Sequence, residues 1–444
     1  MGKLRDRFLR SRFHELYNLR SEGGVGRVVL LSTSIVSSLA GTLTSGLFYT
    51  TFLINNGIDL VNIGILTFLP YIASCFSVFS PSLLERIRRR KWLLAALRLG
   101  YYVFFILGVT VVPQAVQDPV WKKLGFVACV FVGHVLNAVA ASGYSAWHVN
   151  FLPDEVRAEH FGITLTVTNA VNLGLGLVFC LVADRFTGSP HAAGLIVLFR
   201  YLGFALGLVH TFLLLLPTEY PYEHTGGANR LRDVIVKPFA HRKYVGSVLL
   251  VAAWTFAQCL PSGVLNYYLL EDLGARYTYI QVVNALYPVF LFAFMVPCRR
   301  TIKKLGWVGT FDLGVFLLGL SFLAYSLVTR QSYLLLYPAV RLFQHILGAH
   351  FTDTTVNNFQ FMNIPSADRT NCISFYILVN NAAAFLGVMS GTWFVALTPG
   401  LSVRILGVPY GHCQLLLLAS GVSFLVFSAV ILRHRARLEP DGTL

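Results

Sequence analysis

Arg341, Gln344, His345, Gly348 and Thr352 are separated by 3, 1, 3 and 4 residues, the spacing that places side chains on one face of a helix. An arginine in such a stripe presents a planar fork of N–H donors that fits a carboxylate or a phosphate. It serves equally well as a structural charge paired with an acid or with helix carbonyls. His350 and Asp353 fall with Asn357 and Gln360 on a second face of the same segment. A carboxylic acid shielded from water keeps its proton toward neutral pH, and imidazole titrates at about 6.5. Asp353 with His350 is therefore the candidate pair for proton uptake. Asp353 is not the obvious partner of Arg341, because twelve residues span about 18 Å along one helix. His134, Asn137, Tyr144 and His148 make a similar stripe on an earlier segment, and Trp254, Gln258, Pro261 and Asn266 a looser one between them. For any single histidine here, packing is the commoner role.

The elements that must carry these residues follow from composition. Of 444 residues, 55% are hydrophobic and only 12% are charged, about half the charged share of a soluble domain. That excludes disorder, disulfide scaffolds and ordinary soluble enzymes, and leaves an all-α polytopic membrane protein. About twelve stretches are long and apolar enough to span a bilayer, at about 20 residues each. They run approximately 28–53, 61–81, 92–113, 124–147, 161–183 and 191–216, then 245–269, 278–297, 307–328, 333–356, 371–397 and 409–431. The fourth and tenth are unusually polar. Of the 35 Lys and Arg residues, 26 fall in the tails and loops on one side and six on the other. This bias predicts cytoplasmic termini and a multi-pass protein of the plasma membrane, and it explains the net charge of +15 without nucleic acid. The amino terminus lacks the short apolar region of a cleavable signal. Seven scattered cysteines show no metal-ligand spacing. No phosphate loop, nucleophile elbow or His-Glu-x-x-His pair appears. His148 near Asp154 is the nearest approach to an acid–base pair, so no enzyme, cofactor or metal is expected.

The polar segment 217–244 divides the chain, and matching features recur on either side of it. Pro153, Arg157 and Asn169 are repeated 212 residues later as Pro365, Arg369 and Asn381. Leu69-Pro70 is matched by Tyr287-Pro288, and the basic loop Glu85–Trp92 by Arg299–Trp307. The expected organisation is a tail over 1–27, a six-helix bundle over 28–216, a linker, a second bundle over 245–431 and a tail over 432–444. With the loop PSLLERIRRR at 81–90 and the two Pro-x-x-x-Arg motifs, this resembles the major facilitator superfamily, although Pro81 and Arg88 stand where the family's loop motif has glycines.

The resemblance implies two pseudo-symmetric six-helix bundles and secondary active transport by alternating access. It further implies that spans 1, 4, 7 and 10 line a central cavity, which makes Arg341, Gln344, His345, His134, Asn137, Gln258 and Asn266 the candidate substrate contacts. Asp353 and His350 become the candidates for proton coupling. Glu85, Arg86, Arg89, Arg90, Arg157 and Arg369 become gating latches, their alternative being topology determinants alone. Arg98, Arg200 and Asp312 fall on spans that the family places peripherally, and bundle stability or snorkelling is expected of them. The expected function is proton-linked movement of a small polar solute, anions among the candidates, by a monomer in contact with membrane lipid. The alternatives are drug or metabolite efflux and a non-transporting sensor. Span five lacks the proline of the drug-antiporter motif, which favours the first reading over efflux.

Overall fold

A computed structural model describes residues 16–79, 90–149, 154–217, 235–359, 369–405 and 408–438. Ten helices among them are long and apolar enough to cross a membrane. The expected spans at 278–297 and 333–356 are helical but do not meet that standard. The first is divided between two helices, Tyr277–Ala285 and Tyr287–Ser326, and the second carries Arg341, Gln344, His345, His350 and Asp353.

The chain packs as two units, one made of Met1–Asn56 with Ala73–Ala228, the other of Gly57–Ile72 with Asn229–Leu444. The sequence puts span two wholly in the first bundle, yet its leading part belongs to the second unit. Glycine explains the close approach. A Cβ on Gly64 would lie 2.2 Å from Thr392 Oγ1, so only a bare backbone fits there, and Phe68 packs edge-on to Phe385 beside it.

In the first unit, α1 (Glu22–Thr44) starts at Ser21, whose hydroxyl caps the Gly24 amide at 3.1 Å. It stops where Ser45 is extended and Gly46 takes φ 58°, and α2 (Gly46–Asn55) resumes at once. Several Ser and Thr hydroxyls of this span donate back to helix carbonyls: Thr33 and Ser34 to Leu30, Thr42 to Ser38, Thr44 to Ala40. In a bilayer that bond satisfies a hydrogen that has no water to receive it.

The helix α3 (Leu60–Ser74) belongs to the second unit as far as Ile72. In the first unit again, α4 (Arg90–Tyr101) leads through a π-helical segment, Tyr102–Gly108, into α5 (Val109–Ala115). Then follow α6 (Pro119–Val149), α7 (Asp154–Phe186) and α8 (Ala192–Leu214). Arg200 on α8 has no exposed surface. Its donors meet Thr110 Oγ1 at 2.7 Å, the Phe105 and Ile106 carbonyls at 3.0 and 3.2 Å, and the Thr44 carbonyl at 3.3 Å. The π segment and the break at Ser45 leave those carbonyls available, because a displaced helical register frees acceptors. The Phe52 ring lies 4.6 Å from the guanidinium. Arg200 is thus a structural pin, as expected.

The rest of the second unit comprises α9 (Arg242–Cys259), α10 (Ser262–Tyr267), α11 (Tyr277–Ala285) and α12 (Tyr287–Ser326), the last bent at Gly306 where φ is 73°. Beyond it come α13 (Tyr333–Leu347), a π turn at Gly348–Thr352, α14 (Asp353–Phe359), α15 (Arg369–Leu397) and α16 (His412–Leu438). Asp312 on α12 is buried and accepts from Ser428 Oγ at 2.7 Å, which makes it an interhelical tie. One departure from an all-helical chain is a small antiparallel ribbon, β1 (Val403–Ile405) on β2 (Val408–Tyr410).

Candidate functional site

The second unit contains a cavity of about 340 Å³. Arg341, Gln344 and His345 from α13 line it, as do Gly348 and Thr352 from the π turn and Asp353 from α14. Trp254 and Gln258 on α9, Asn284 on α11, and Tyr287, Leu318 and Phe322 on α12 complete the wall.

Arg341 is held by neutral groups. Its Nη1 donates to Gln344 Oε1 at 2.9 Å and its Nε to Asn284 Oδ1 at 3.4 Å, and a further side-chain bond joins it to Tyr337. Gln344 in turn donates to Ser321 Oγ at 3.2 Å. Among the described residues no carboxylate bonds to the guanidinium, so its charge is oriented by the wall and left uncompensated at short range. At the other end of the stripe the Tyr287 hydroxyl donates to Asp353 Oδ2, and Thr352 Oγ1 donates to Oδ1 at 3.4 Å.

Three buried polar atoms on this wall, Trp254 Nε1, Gln258 Oε1 and His345 Nε2, have no hydrogen-bond partner. Buried polar groups are nearly always paired, and leaving one unpaired costs about 1–3 kcal/mol. Two nitrogens and an oxygen without partners around one cavity are what a polar ligand would satisfy. His345 is otherwise fixed by a bond to the Val283 backbone and by the Tyr287 ring at 5.3 Å.

The helix phase explains how Asp353 reaches this wall. At about 100° per residue, Asp353 should lie about 120° away from Arg341. The π turn between them takes up about one extra residue and reduces that angle to about 20°. Two glycines accommodate the turn. A Cβ on Gly314 would lie 2.6 Å from Phe351 Cβ, and one on Gly348 would lie 3.0 Å from Asp353 Oδ2.

The structure therefore joins Arg341, Gln344, His345, Gln258 and Asp353 in one cavity. It separates Asp353 from His350, which turns to Thr301 Oγ1 at 2.9 Å and packs on Phe351. The side chain bonded to Asp353 is that of Tyr287. Asn266 sits on α10, outside the residues that line the cavity. His134 packs edge-on to Phe105 and Tyr101, at 4.7 and 5.5 Å between ring centres, as a histidine in an aromatic core does. Asn137 accepts from Arg98 Nη1 in the first unit. Of the gating candidates, Glu85, Arg86 and Arg89 lie outside the described residues. Arg157 and Arg369 lie in the first turn of α7 and at the start of α15, with side chains outside the described set, and Arg90 begins α4. Sequence spacing misses Asn284, Tyr287 and Ser321. Tyr287-Pro288 stands out there only as a repeat marker, and nothing in one segment's spacing announces a partner on another.

No family model matches the sequence, and no curated protein is detectably similar to it. Solved structures are similar in fold. The nucleoside transporter NupG, as a point mutant, aligns at 11% identity with a TM-score of 0.67, covering 93% of this chain and 99% of that one. The xylose transporter XylE from E. coli, in an inward-open conformation, aligns at 14% identity and 0.65, covering 94% and 97%. A POT family transporter in complex with a thioalcohol-conjugated peptide aligns at 16% and 0.64, covering 94% and 96%. Full-length agreement with transporters of such different solutes, at identities this low, fixes architecture and leaves the solute open. The chain has the fold of the major facilitator superfamily.

Proposed function

We propose that this protein is a secondary active transporter in which Arg341 binds the anionic group of a small polar solute and Asp353 takes up the coupled proton. The supporting observation is the cavity that holds both residues without a bond between them. With Asp353 ionised, the cavity carries one positive and one negative charge. With Asp353 protonated it carries the guanidinium alone, and an anion is then favoured. By linkage, an anion on Arg341 favours protonation of Asp353 to the same degree. Proton and anion would bind together and leave together, which is the requirement for symport. Trp254 Nε1, Gln258 Oε1 and His345 Nε2 would bind the rest of the solute. A guanidinium on the wall favours this reading over efflux of lipophilic cations. The proposal extends to a monomer in the plasma membrane with cytoplasmic termini, a placement that rests on the charge bias of the loops.

The test is uptake into proteoliposomes under an inward proton gradient, after a thermal-stability screen over carboxylates, phosphate esters, sugars, amino acids and lipophilic cations. Stabilisation by anions at acid pH, and accumulation collapsed by a protonophore, are expected. Selective stabilisation by lipophilic cations would overturn the anion assignment, and uptake indifferent to the proton gradient would overturn the coupling.

A further inference from the structure

The first unit has its own polar cavity, of about 300 Å³, and Arg98 from α4 lies on its wall with Ser37, Asn137, Tyr144 and His210. The sequence places Arg98 on a span expected to be peripheral, where it would stabilise the bundle. A structural arginine in this same unit looks different. Arg200 is fully buried, bonds to three carbonyls and a hydroxyl, and meets two aromatic rings. Arg98 makes two side-chain bonds, from Nη1 to Asn137 Oδ1 and from Nη2 to Ser37 Oγ at 3.2 Å. Its Nε is buried without a partner. The Tyr101 and Tyr102 rings lie 5.4 and 5.5 Å from the guanidinium carbon. Every one of these neighbours is neutral.

The rest of the wall has few hydrogens to offer. The Tyr144 hydroxyl donates to the Leu94 carbonyl at 2.7 Å, and those of Thr33 and Ser34 to Leu30 at 2.9 Å. His210 Nδ1 is engaged with the Tyr102 hydroxyl at 3.2 Å. A guanidinium has five N–H donors in a fixed fork, so Arg98 has donors beyond its two bonds, and the unbalanced charge on this wall is its own. An unpaired cation inside a membrane segment is costly and faces a partner or a water-filled space. Here it faces a cavity with room for a small ion.

We propose that the first-unit cavity is a second anion site, in which Arg98 binds a small oxyanion, a carboxylate or a phosphate group, through Nε and the remaining hydrogen of Nη2. The site shares no residue with the Arg341 cavity and stands whether or not that one binds the transported solute.

The experiment uses the full-length protein in detergent, with inorganic phosphate and acetate as probes and chloride at equal ionic strength as control. Thermal shift and titration calorimetry are read on wild type, Arg98→Gln, Arg341→Gln and Asn137→Asp. The carboxylate introduced by Asn137→Asp would replace the neutral oxygen at Nη1, so that variant keeps the arginine and leaves its Nε and Nη2 edge open while neutralising its charge. The expected result is stabilisation by phosphate or acetate beyond that by chloride. A binding event should persist in Arg341→Gln and weaken at least tenfold in Arg98→Gln and in a folded Asn137→Asp. Response to phosphate alone assigns a phosphate-bearing ligand, and response to acetate alone a carboxylate. Wild-type affinity in Asn137→Asp, or stabilisation by chloride equal to that by both probes, overturns the proposal.

Discussion

Tyr287 and Asp353 are 66 residues apart in the chain, yet the tyrosine hydroxyl donates its hydrogen directly to Asp353 Oδ2 at the edge of the Arg341 cavity. The bond gives the coupling proposal a second residue to test. Tyr287→Phe removes the donor and keeps the ring against His345. Proton-driven accumulation is expected to fall several-fold, with solute exchange at equal pH on both sides affected less. Counterflow and gradient-driven uptake, measured on the same vesicles, separate the two.

Asp353→Asn mimics the protonated acid. Solute binding is expected to lose its pH dependence and stay at the affinity that the wild type shows at acid pH, while accumulation against a gradient disappears. Calorimetric titrations at two pH values check this.

Arg341→Lys keeps the charge and gives up the fork that bonds to Gln344 and Asn284. A bidentate arginine contact is not reproduced by an ammonium. Affinity for the anionic solute is expected to fall at least tenfold, with little change in Tm, and binding titrations beside a thermal scan would establish both.

Gly314→Ala places a methyl 2.6 Å from Phe351 Cβ and 2.8 Å from Thr352 Cγ2. Overpacking of this kind costs about 1–3 kcal/mol. Displacing the π turn also moves Asp353 off the cavity wall, so a drop in Tm accompanied by loss of proton-driven uptake is expected. Gly319→Ala, which meets the end of the Leu425 side chain at 3.0 Å on the same helix, is the comparison. It should lower Tm without that loss of coupling.

His160, at the entry to span five, is buried, its Nδ1 3.1 Å from the Tyr17 hydroxyl. Burial, with Arg27 nearby, pushes its pKa down to about 4, from about 6.5 when exposed. Between those values the unfolded chain binds more protons than the folded one, so stability rises with pH through this window. The contribution is complete above about pH 6.5 and is lost as pH falls toward 4. A Tm that drops by a few degrees between pH 7 and pH 5 in wild type, and drops less in His160→Phe, is expected from thermal scans.

That this chain crosses a membrane many times is legible in its amino-acid order, because spans are set by the length of apolar runs, a local property. The shared face of Arg341, Gln344 and His345 is legible too, since regular helical phase holds across five residues. That phase fails across the π turn, and regular spacing then pairs Asp353 with His350. Whether a helix gains a residue at Gly348–Thr352 depends on Gly314 of a neighbouring helix leaving room for it. The same limit applies to Arg98 and Arg200, two arginines in similar apolar surroundings. One is saturated by carbonyls that a π segment and a helix break set free, and the other faces a cavity with donors to spare. Hydrogen-bond partners are supplied by other segments of the chain, so packing alone separates the arginine that is a pin from the one that is a site.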